Sequence, residues 1–366
     1  LAGFGVRSGV AVDELRVFAR KHQIPVALSR GGMDVFPSES PLFLGRPGGY
    51  GDRPSHFAIQ QADFLLILGS RLSVSTTGYY PDQFGGKAFK VMVDIDEKEL
   101  ARENVPIQLK LQMDIKRFLQ EINKDEYESG DTAAWLQKCS EWKAKYPNVL
   151  PEYEKEKPLN TYYFTQELAK AAAEDAIVIV DTGSVCNIVS QSWSLKEKQR
   201  YIISGGLSCM GFWAGAIGAA SMGLPVIAIA GDGSTQMNIQ EFATLQYNHL
   251  PIKLFVYNNN GYMLIRHNQH NYMHDRFLGV GPDSGLQTPD FCAVAKAYGL
   301  PAVRITTEND IQAKIQDVLH RDGPVVCEVM AQEFMPIVPR IASKVMPDGS
   351  LKAADFDDLY PFLDKE

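Results

Sequence analysis

Two short polar clusters hold the residue types that point most directly to chemistry. Gly231-Asp232-Gly233 ends an apolar run over 226–230, and Asn258-Asn259-Asn260-Gly261 ends a second over 252–257. Between them, Ile239, Phe242, Ala243, Leu245 and Gln246 are spaced for one face of a helix. Strand, helix and strand make a right-handed βαβ unit with parallel strands, whose C-terminal ends share one edge of the sheet. If the strands are neighbours, Asp232 and Asn259 emerge roughly 5 Å apart. A carboxylate beside an amide carbonyl, with backbone carbonyls nearby, suits a hard cation such as Mg²⁺ or Ca²⁺. Gly231 and Gly233 let the backbone approach an anion, and the following helix offers unpaired N–H groups. The local expectation is a metal–phosphate site at the carboxyl edge of an α/β sheet. A βαβ unit with turn-forming Gly, Asp and Asn and no ligand fits the same pattern.

The elements that must position these residues read as α/β throughout: two doubly wound parallel-sheet domains. Residues 1–125 form the first. An amphipathic helix is expected over 12–21, with strands over 24–28, 63–68 and 90–94 and a helix start at Asp94-x-Asp96-Glu97. Continuous apolar strands between helical stretches indicate a parallel sheet covered on both faces. Leu1-Ala2-Gly3-Phe4-Gly5 reads as the end of a strand entering a turn, so a preceding segment is expected in the parent protein. The glycines of that turn are a weak dinucleotide signal. Residues 126–158, with Pro147, Pro151 and Pro158, read as a linker carrying a helix over 131–146. The second domain spans 159–335. It has a helix over 162–173 capped by Asn160 or Thr161, a strand over 177–180 ending in Asp181-Thr182-Gly183-Ser184, a strand over 201–203 and a small-residue helix over 212–222. After the βαβ unit come a polar, His-rich loop over 266–287, a helix over 289–298, a strand over 302–305, a helix over 308–319 and a strand over 325–330. Residues 336–366 form a C-terminal tail with Arg340 and Pro347-Asp348-Gly349.

Composition narrows the function. The 366 residues allow two domains with real cores, and 45% apolar with 22% charged residues is ordinary for a globular protein. A net charge of −8 with no dense basic block argues against a nucleic-acid partner. Every apolar run is strand-sized, so no membrane partner is expected. Five scattered cysteines without a C-x-x-C pair fit a reduced, cytoplasmic setting and offer no zinc site.

The words around the two clusters go further. G-D-G, residues 234–257, then N-N resembles the thiamine-diphosphate (ThDP) binding motif. G-D-G-S-x-Q-M-N-x-Q-E-x-A-T, L-P-I-K and N-N-N-G-Y look like the acetolactate synthase branch of that family. G-D-R-P-S-H-F-A-I-Q-Q-A-D and D-I-D-E-K-E-L resemble its middle domain. The resemblance covers essentially the whole chain and is strongest over 200–300.

The resemblance implies ThDP and Mg²⁺ as cofactors. It makes Asp232, Asn259 and the carbonyl of Gly261 metal ligands. Gly231, Gly233 and Ser234 would face the diphosphate, and Thr182, Gly183 and Ser184 its other end, although the family commonly has Gln and His after that Gly. Met210 would prop the bent cofactor, and the carbonyl of Ser208 would accept from its pyrimidine amine; Ser208-Cys209 replaces the usual Gly-Ala. Some members hold FAD in the middle domain near what is here 69–78, but this stretch lacks the acidic residues that follow the Arg, and a structural domain without ligand is favoured. His267, His270 and His274 could line the acceptor pocket, with a solvated loop as the plainer reading, and Arg340 could meet a substrate carboxylate. The catalytic Glu of the family lies on a pyrimidine-binding domain that normally precedes the middle domain, so the implied partner is that domain, as a preceding segment or separate subunit, within a homo-dimer or tetramer. The implied reaction is decarboxylation of a 2-keto acid, pyruvate above all, and carboligation. The alternatives are a ThDP-dependent 2-keto acid decarboxylase and a non-catalytic or split-subunit binding module.

Overall fold

A computed structural model of the chain describes residues 1–124, 126, 130–309, 311–345 and 350–364. The chain forms two compact units, residues 1–148 with 338–366, and residues 149–337. Both are α/β with parallel sheets.

In the first unit, β1 (Val26–Ala27) pairs with β2 (Phe43–Gly45), and β3 (Phe64–Leu68), β4 (Phe89–Asp94) and β5 (Leu109–Gln112) form a parallel sheet in that order. Ala2 makes parallel bridges to both Leu28 and Leu68, so the strand-like reading of the first residues has a counterpart here. Alternate residues of the strands serve two cores. Leu68 and Val93 pack with Leu15 and Phe18 of the helix Val12–His22 and Leu119 of the helix Ile115–Lys124. Leu65, Ile67 and Met92 pack with Ile59, Phe84 and three residues from the C-terminal segment, Ile341, Phe356 and Leu359. Residues 338–345 and 350–364 are thus built into the first unit, where β12 (Ser343–Val345) and β13 (Leu351–Ala353) pair antiparallel; Pro347-Asp348-Gly349 lie outside the described residues. The stretch expected as a linker is divided between the units. Its helix, Ala133–Lys145, packs Trp135, Cys139 and Trp142 on Leu44 and Ala58 of the first unit, and the 3₁₀ turn Pro151–Lys155 belongs to the second.

The second unit is a six-stranded parallel sheet. Its strands are β6 (Ile177–Val180), β7 (Arg200–Ile203), β8 (Val226–Gly231), β9 (Ile252–Asn258), β10 (Ala302–Ile305) and β11 (Val325–Met330), in the order β10-β11-β9-β8-β6-β7. Val226, Ala228, Ala230, Ile252, Leu254 and Val256 face one side, against Trp213, Phe242, Leu245 and Phe291. Phe255 and Tyr257 face the other, against Phe164 of the helix Thr161–Ala171. Helices cover both faces, as a doubly wound sheet requires. Asn160 caps Thr161–Ala171, its side chain accepting from the amides of Tyr162 and Tyr163.

Three local expectations change. The small-residue helix becomes a 3₁₀ turn, Phe212–Gly215, and a short helix, Ala216–Ala220. The helix inside the βαβ unit is two helices, Asp232–Met237 and Glu241–Tyr247. The His-rich stretch opens not as a loop but as the helix Met263–Met273, whose buried residues are Met263 and Arg266. An arginine on the inner face breaks the apolar period by which an amphipathic helix is recognised.

Strand order decides where ligands can sit. β6 has β7 on one side and β8 on the other, so the chain reverses direction across the sheet between β6 and β8. The segments leaving the C-terminal ends of β6, β8 and β9 therefore share one edge, with a crevice at the switch point.

Candidate functional site

Asp232 stands at the end of β8 and is buried, 2% exposed. Its Oδ2 accepts from the amides of Asn259 at 3.1 Å and Gly261 at 2.8 Å, and its Oδ1 from its neighbour Gly233 at 2.7 Å. The turn after β9 thus wraps the carboxylate at the end of β8. Burial pushes the Asp232 carboxyl up to about 6, against the opposing pull of the Gly261, Gly233 and Asn259 amides and the Arg266 charge. The Asn259 side-chain carbonyl is also buried and has no hydrogen-bond partner. A buried acceptor left unpaired costs about 1–3 kcal/mol. A desolvated carboxylate and an amide oxygen without a partner thus stand on adjacent strand ends, hard oxygen donors of the kind a cation takes.

The turn itself is over-determined. Asn260 has φ +56° and Gly261 φ +135°, and a Cβ on Gly261 would lie 2.1 Å from the Val280 carbonyl oxygen. Arg266, 8% exposed, donates to the carbonyls of Asn259, Asn260 and Val280 at 3.4, 3.2 and 2.9 Å, and to that of Glu333. Gly233 is covered by Tyr262 and Met210: a Cβ there would meet Tyr262 Cε1 at 2.3 Å and Met210 Cε at 3.3 Å.

Across the switch point, Asp181 ends β6 fully buried. Its carboxylate accepts from the amides of Trp213 at 2.8 Å and Thr182 at 2.7 Å. Burial raises its pKa while these bonds oppose. Asp181 ties the segments after β6 and β7 together. The sequence reading passed over it, although an Asp directly after a buried strand is the signal that exposed Asp232. Gly183, at φ +81°, has open space where a Cβ would stand, and no side chain caps the helix Ser184–Ser192 that follows. That helix start keeps its amides available to an anion.

Sequence comparison now adds to this geometry. Residues 1–122 match the family model described as "Thiamine pyrophosphate enzyme, central domain", and residues 181–329 match "Thiamine pyrophosphate enzyme, C-terminal TPP binding domain". The chain belongs to the thiamine pyrophosphate enzyme family. It is similar to acetolactate synthase 1, chloroplastic, of Zea mays, 31% identical over 343 residues that cover 90% of this chain and 53% of the relative. The acetolactate synthase large subunit of Cyanidium caldarium is 30% identical over 353 residues, 93% and 58% of the two chains. The isozyme 1 large subunit of Escherichia coli K12 is 30% identical over 335 residues, 90% and 58%. The chain spans little more than half the length of these relatives.

The second matched segment is described as TPP binding, and it contains every cofactor- and metal-binding residue expected from sequence. Asp232, Asn259 and Gly261 are brought together, as are Gly233 and Met210. Thr182, Gly183 and Ser184 reach the same edge, where Ser234 is buried. Ser208 is exposed at φ +51° in the irregular segment between β7 and Phe212–Gly215, and Met210 is half-exposed. His267 and His270 set ring edges against Phe334, at 4.5 and 5.1 Å between centroids, and His270 pairs with Asp275. Arg340 belongs to the first unit, where its backbone pairs with Tyr360 and its guanidinium lies over the Tyr360 ring. Arg71, in the stretch considered for FAD, is paired with Glu99 at 2.7 Å.

Another set of potential metal ligands, Asp290, Cys292 and Glu328, has its donor atoms within 4.8 Å of one another. It already contains a cation, since Arg304 pairs with both carboxylates. Burial lifts the Cys292 thiol to about 11, which keeps it protonated near neutral pH. Among the described residues, no helix is long and apolar enough to cross a membrane.

Proposed function

We propose that this chain carries the diphosphate- and metal-binding part of a ThDP- and Mg²⁺-dependent enzyme of acetolactate-synthase type, which decarboxylates a 2-keto acid such as pyruvate and joins the product to a second carbonyl compound. The observation that carries this reading is the buried, partnerless carbonyl of Asn259 beside the buried carboxylate of Asp232. The donor set fits the group: one carboxylate, one amide oxygen and the Gly261 carbonyl are hard oxygen ligands of the kind Mg²⁺ takes together with phosphate oxygens. Gly231, Gly233 and Ser234 on one side of the switch point, and Thr182, Gly183 and Ser184 on the other, face the diphosphate, with the Ser234 hydroxyl and the start of the helix Ser184–Ser192 as its donors. Met210 offers an apolar support beside Gly233, and the Ser208 carbonyl an acceptor for the pyrimidine amine. When bound, ThDP supplies an electron sink for the carbanion left by decarboxylation. The chain's own residues hold the metal and phosphates and keep water from them by burial.

The reading requires a carboxylate donor over the cofactor ring. We assign that role to a pyrimidine-binding domain, as a contiguous segment or a separate subunit, in a dimer or larger homo-oligomer. The first unit acts as a scaffold without flavin; support comes from Arg71, which is held by Glu99.

Two measurements test the proposal. ThDP titrated into the chain is expected to bind only with Mg²⁺ present, and binding indifferent to chelator sinks the metal reading. Pyruvate turnover is then followed for the chain alone and with a pyrimidine-domain protein. A ligation product on reconstitution supports the synthase, free aldehyde supports the decarboxylase, and no turnover in either case supports the binding module.

A further inference from the structure

The metal turn is held from below by a buried polar chain that no part of the functional reading uses. Glu328 lies in the middle of β11, 1% exposed. An isolated carboxylate there is costly unless it is paired and hydrogen-bonded. On one side its Oε2 accepts from Arg304 Nε at 2.9 Å and Nη2 at 2.7 Å, from the register partner on β10. On the other its Oε1 accepts from the Asn258 side-chain amide, Nδ2, at 2.7 Å. Asn258 ends β9, 4% exposed, with its backbone carbonyl bound to the Ala331 amide at 2.8 Å. Its own Oδ1 then accepts from the Asn260 amide at 3.0 Å. Asn259, with the partnerless carbonyl, lies between these two bonded residues.

The polarity of this chain is forced. A carboxylate only accepts, so Glu328 must face the NH₂ end of the Asn258 amide. That leaves Oδ1 toward the turn, where the Asn260 amide needs an acceptor. A flipped Asn258 would set its NH₂ against that N–H and its oxygen against the carboxylate, two repulsive contacts in place of two bonds. Arg304 in turn fixes Glu328 in place by a two-pronged contact.

We infer that Glu328 is a positioning residue for the metal turn: through the Asn258 amide it locks residues 258–261 in the conformation that presents Asn259 Oδ1 and the Gly261 carbonyl to one cation. The inference rests on the metal-site reading above, but its first consequence needs no metal. A carboxylate in the β11 strand, one strand removed from β8, governs a site it does not touch.

The test uses the full chain as wild type, Glu328→Gln and Asn258→Ala. Gln keeps the shape of Glu but must turn its NH₂ toward either Asn258 or Arg304. In ligand-free protein, hydrogen exchange of the Asn260 and Gly261 amides is expected to speed up at least tenfold in both variants, while amides in the β6 and β8 strands stay within twofold of wild type. In the Mg²⁺ titration at fixed ThDP, half-saturating Mg²⁺ is expected to rise about 10- to 100-fold, as for the loss of an outer partner of a metal ligand. ThDP affinity at saturating Mg²⁺ should change little. The double variant should resemble Asn258→Ala alone, because the two residues act along one chain. Unchanged turn exchange in the variants overturns the inference whether or not metal binds. Faster turn exchange with wild-type Mg²⁺ dependence overturns its link to the metal. A uniform rise in exchange across the whole sheet also overturns it, since Glu328 is then merely structural. A wild-type chain that takes up no ThDP with Mg²⁺ refutes the functional reading and the metal link together, and leaves the exchange data to judge the turn separately.

Discussion

In the metal-free protein Asp232 should contribute stability that grows as pH falls toward 5. Burial lifts its carboxyl from an ordinary 3.8 to about 6. The folded state therefore binds a proton more readily than the unfolded state between these values, and stability decreases as pH rises through them. At about 1.36 kcal/mol per pKa unit, carrying this charge unshared above pH 6 costs about 3 kcal/mol. Between about pH 7.5 and pH 5, roughly 1.4 kcal/mol of that is recovered. Asp232→Asn removes the titration but turns an NH₂ toward backbone amides, at a cost of about 1–3 kcal/mol for the donors left unpaired. Its stability at neutral pH should thus stay near that of wild type, while its pH profile loses the Asp232 contribution. The assay is urea unfolding with chelator present, read by the fluorescence of the buried Trp193 and Trp213, for both proteins across the pH range. The difference between the profiles, rather than either one, isolates Asp232 from groups common to both, such as Asp181. With saturating Mg²⁺ and ThDP the sign should reverse, because the metal takes the ionised carboxylate, and metal affinity should fall about tenfold per pH unit below 6. Parallel profiles for wild type and Asp232→Asn in chelator would refute the claim that Asp232 is an uncompensated buried charge.

Other consequences are simpler to measure. Asn259→Ala removes an acceptor that has no partner, so metal-free stability should shift by only about 1 kcal/mol, while the stabilisation conferred by Mg²⁺ and ThDP disappears in a thermal-shift assay; an unaltered ligand shift would exclude Asn259 as a ligand. Gly261→Ala forces a Cβ into the Val280 carbonyl at φ +135° and should destabilise the second unit by more than about 2 kcal/mol in denaturant; a neutral result would mean that the turn relaxes freely. Asn160→Ala loses the cap on Thr161–Ala171 and should lower stability by about 1 kcal/mol with Mg²⁺-dependent ThDP binding intact. Protein purified without added cofactor should lack a flavin absorbance band, and a yellow preparation would overturn the scaffold reading of the first unit.

Much of the fold was legible because its strands are buried on both faces. Runs such as 226–230 and 254–257 are continuously apolar, and glycine or asparagine marks where each one ends. Asp232 and Asn259 were legible for the same reason, since polar residues that follow such runs must stand at a sheet edge. Arg266 and Glu328 were not. Each is a charged residue at a buried position, and periodicity scores such residues as errors in an apolar pattern. Their partners are carbonyls and side chains far along the chain, at Val280, Glu333, Arg304 and Asn258, and no local rule pairs them. The helix Met263–Met273 was hidden by the same arginine.

The sequence by itself determined the α/β class, the ends of the strands and the chemical types at those ends, because local propensity and burial pattern act over a few residues. The tertiary structure decided which ends meet. Only strand order could place β6 beside β8 and so bring Asp181 and Asp232 to one edge. Only the packed turn could leave one asparagine carbonyl without a partner, because that depends on where every surrounding donor has already been spent.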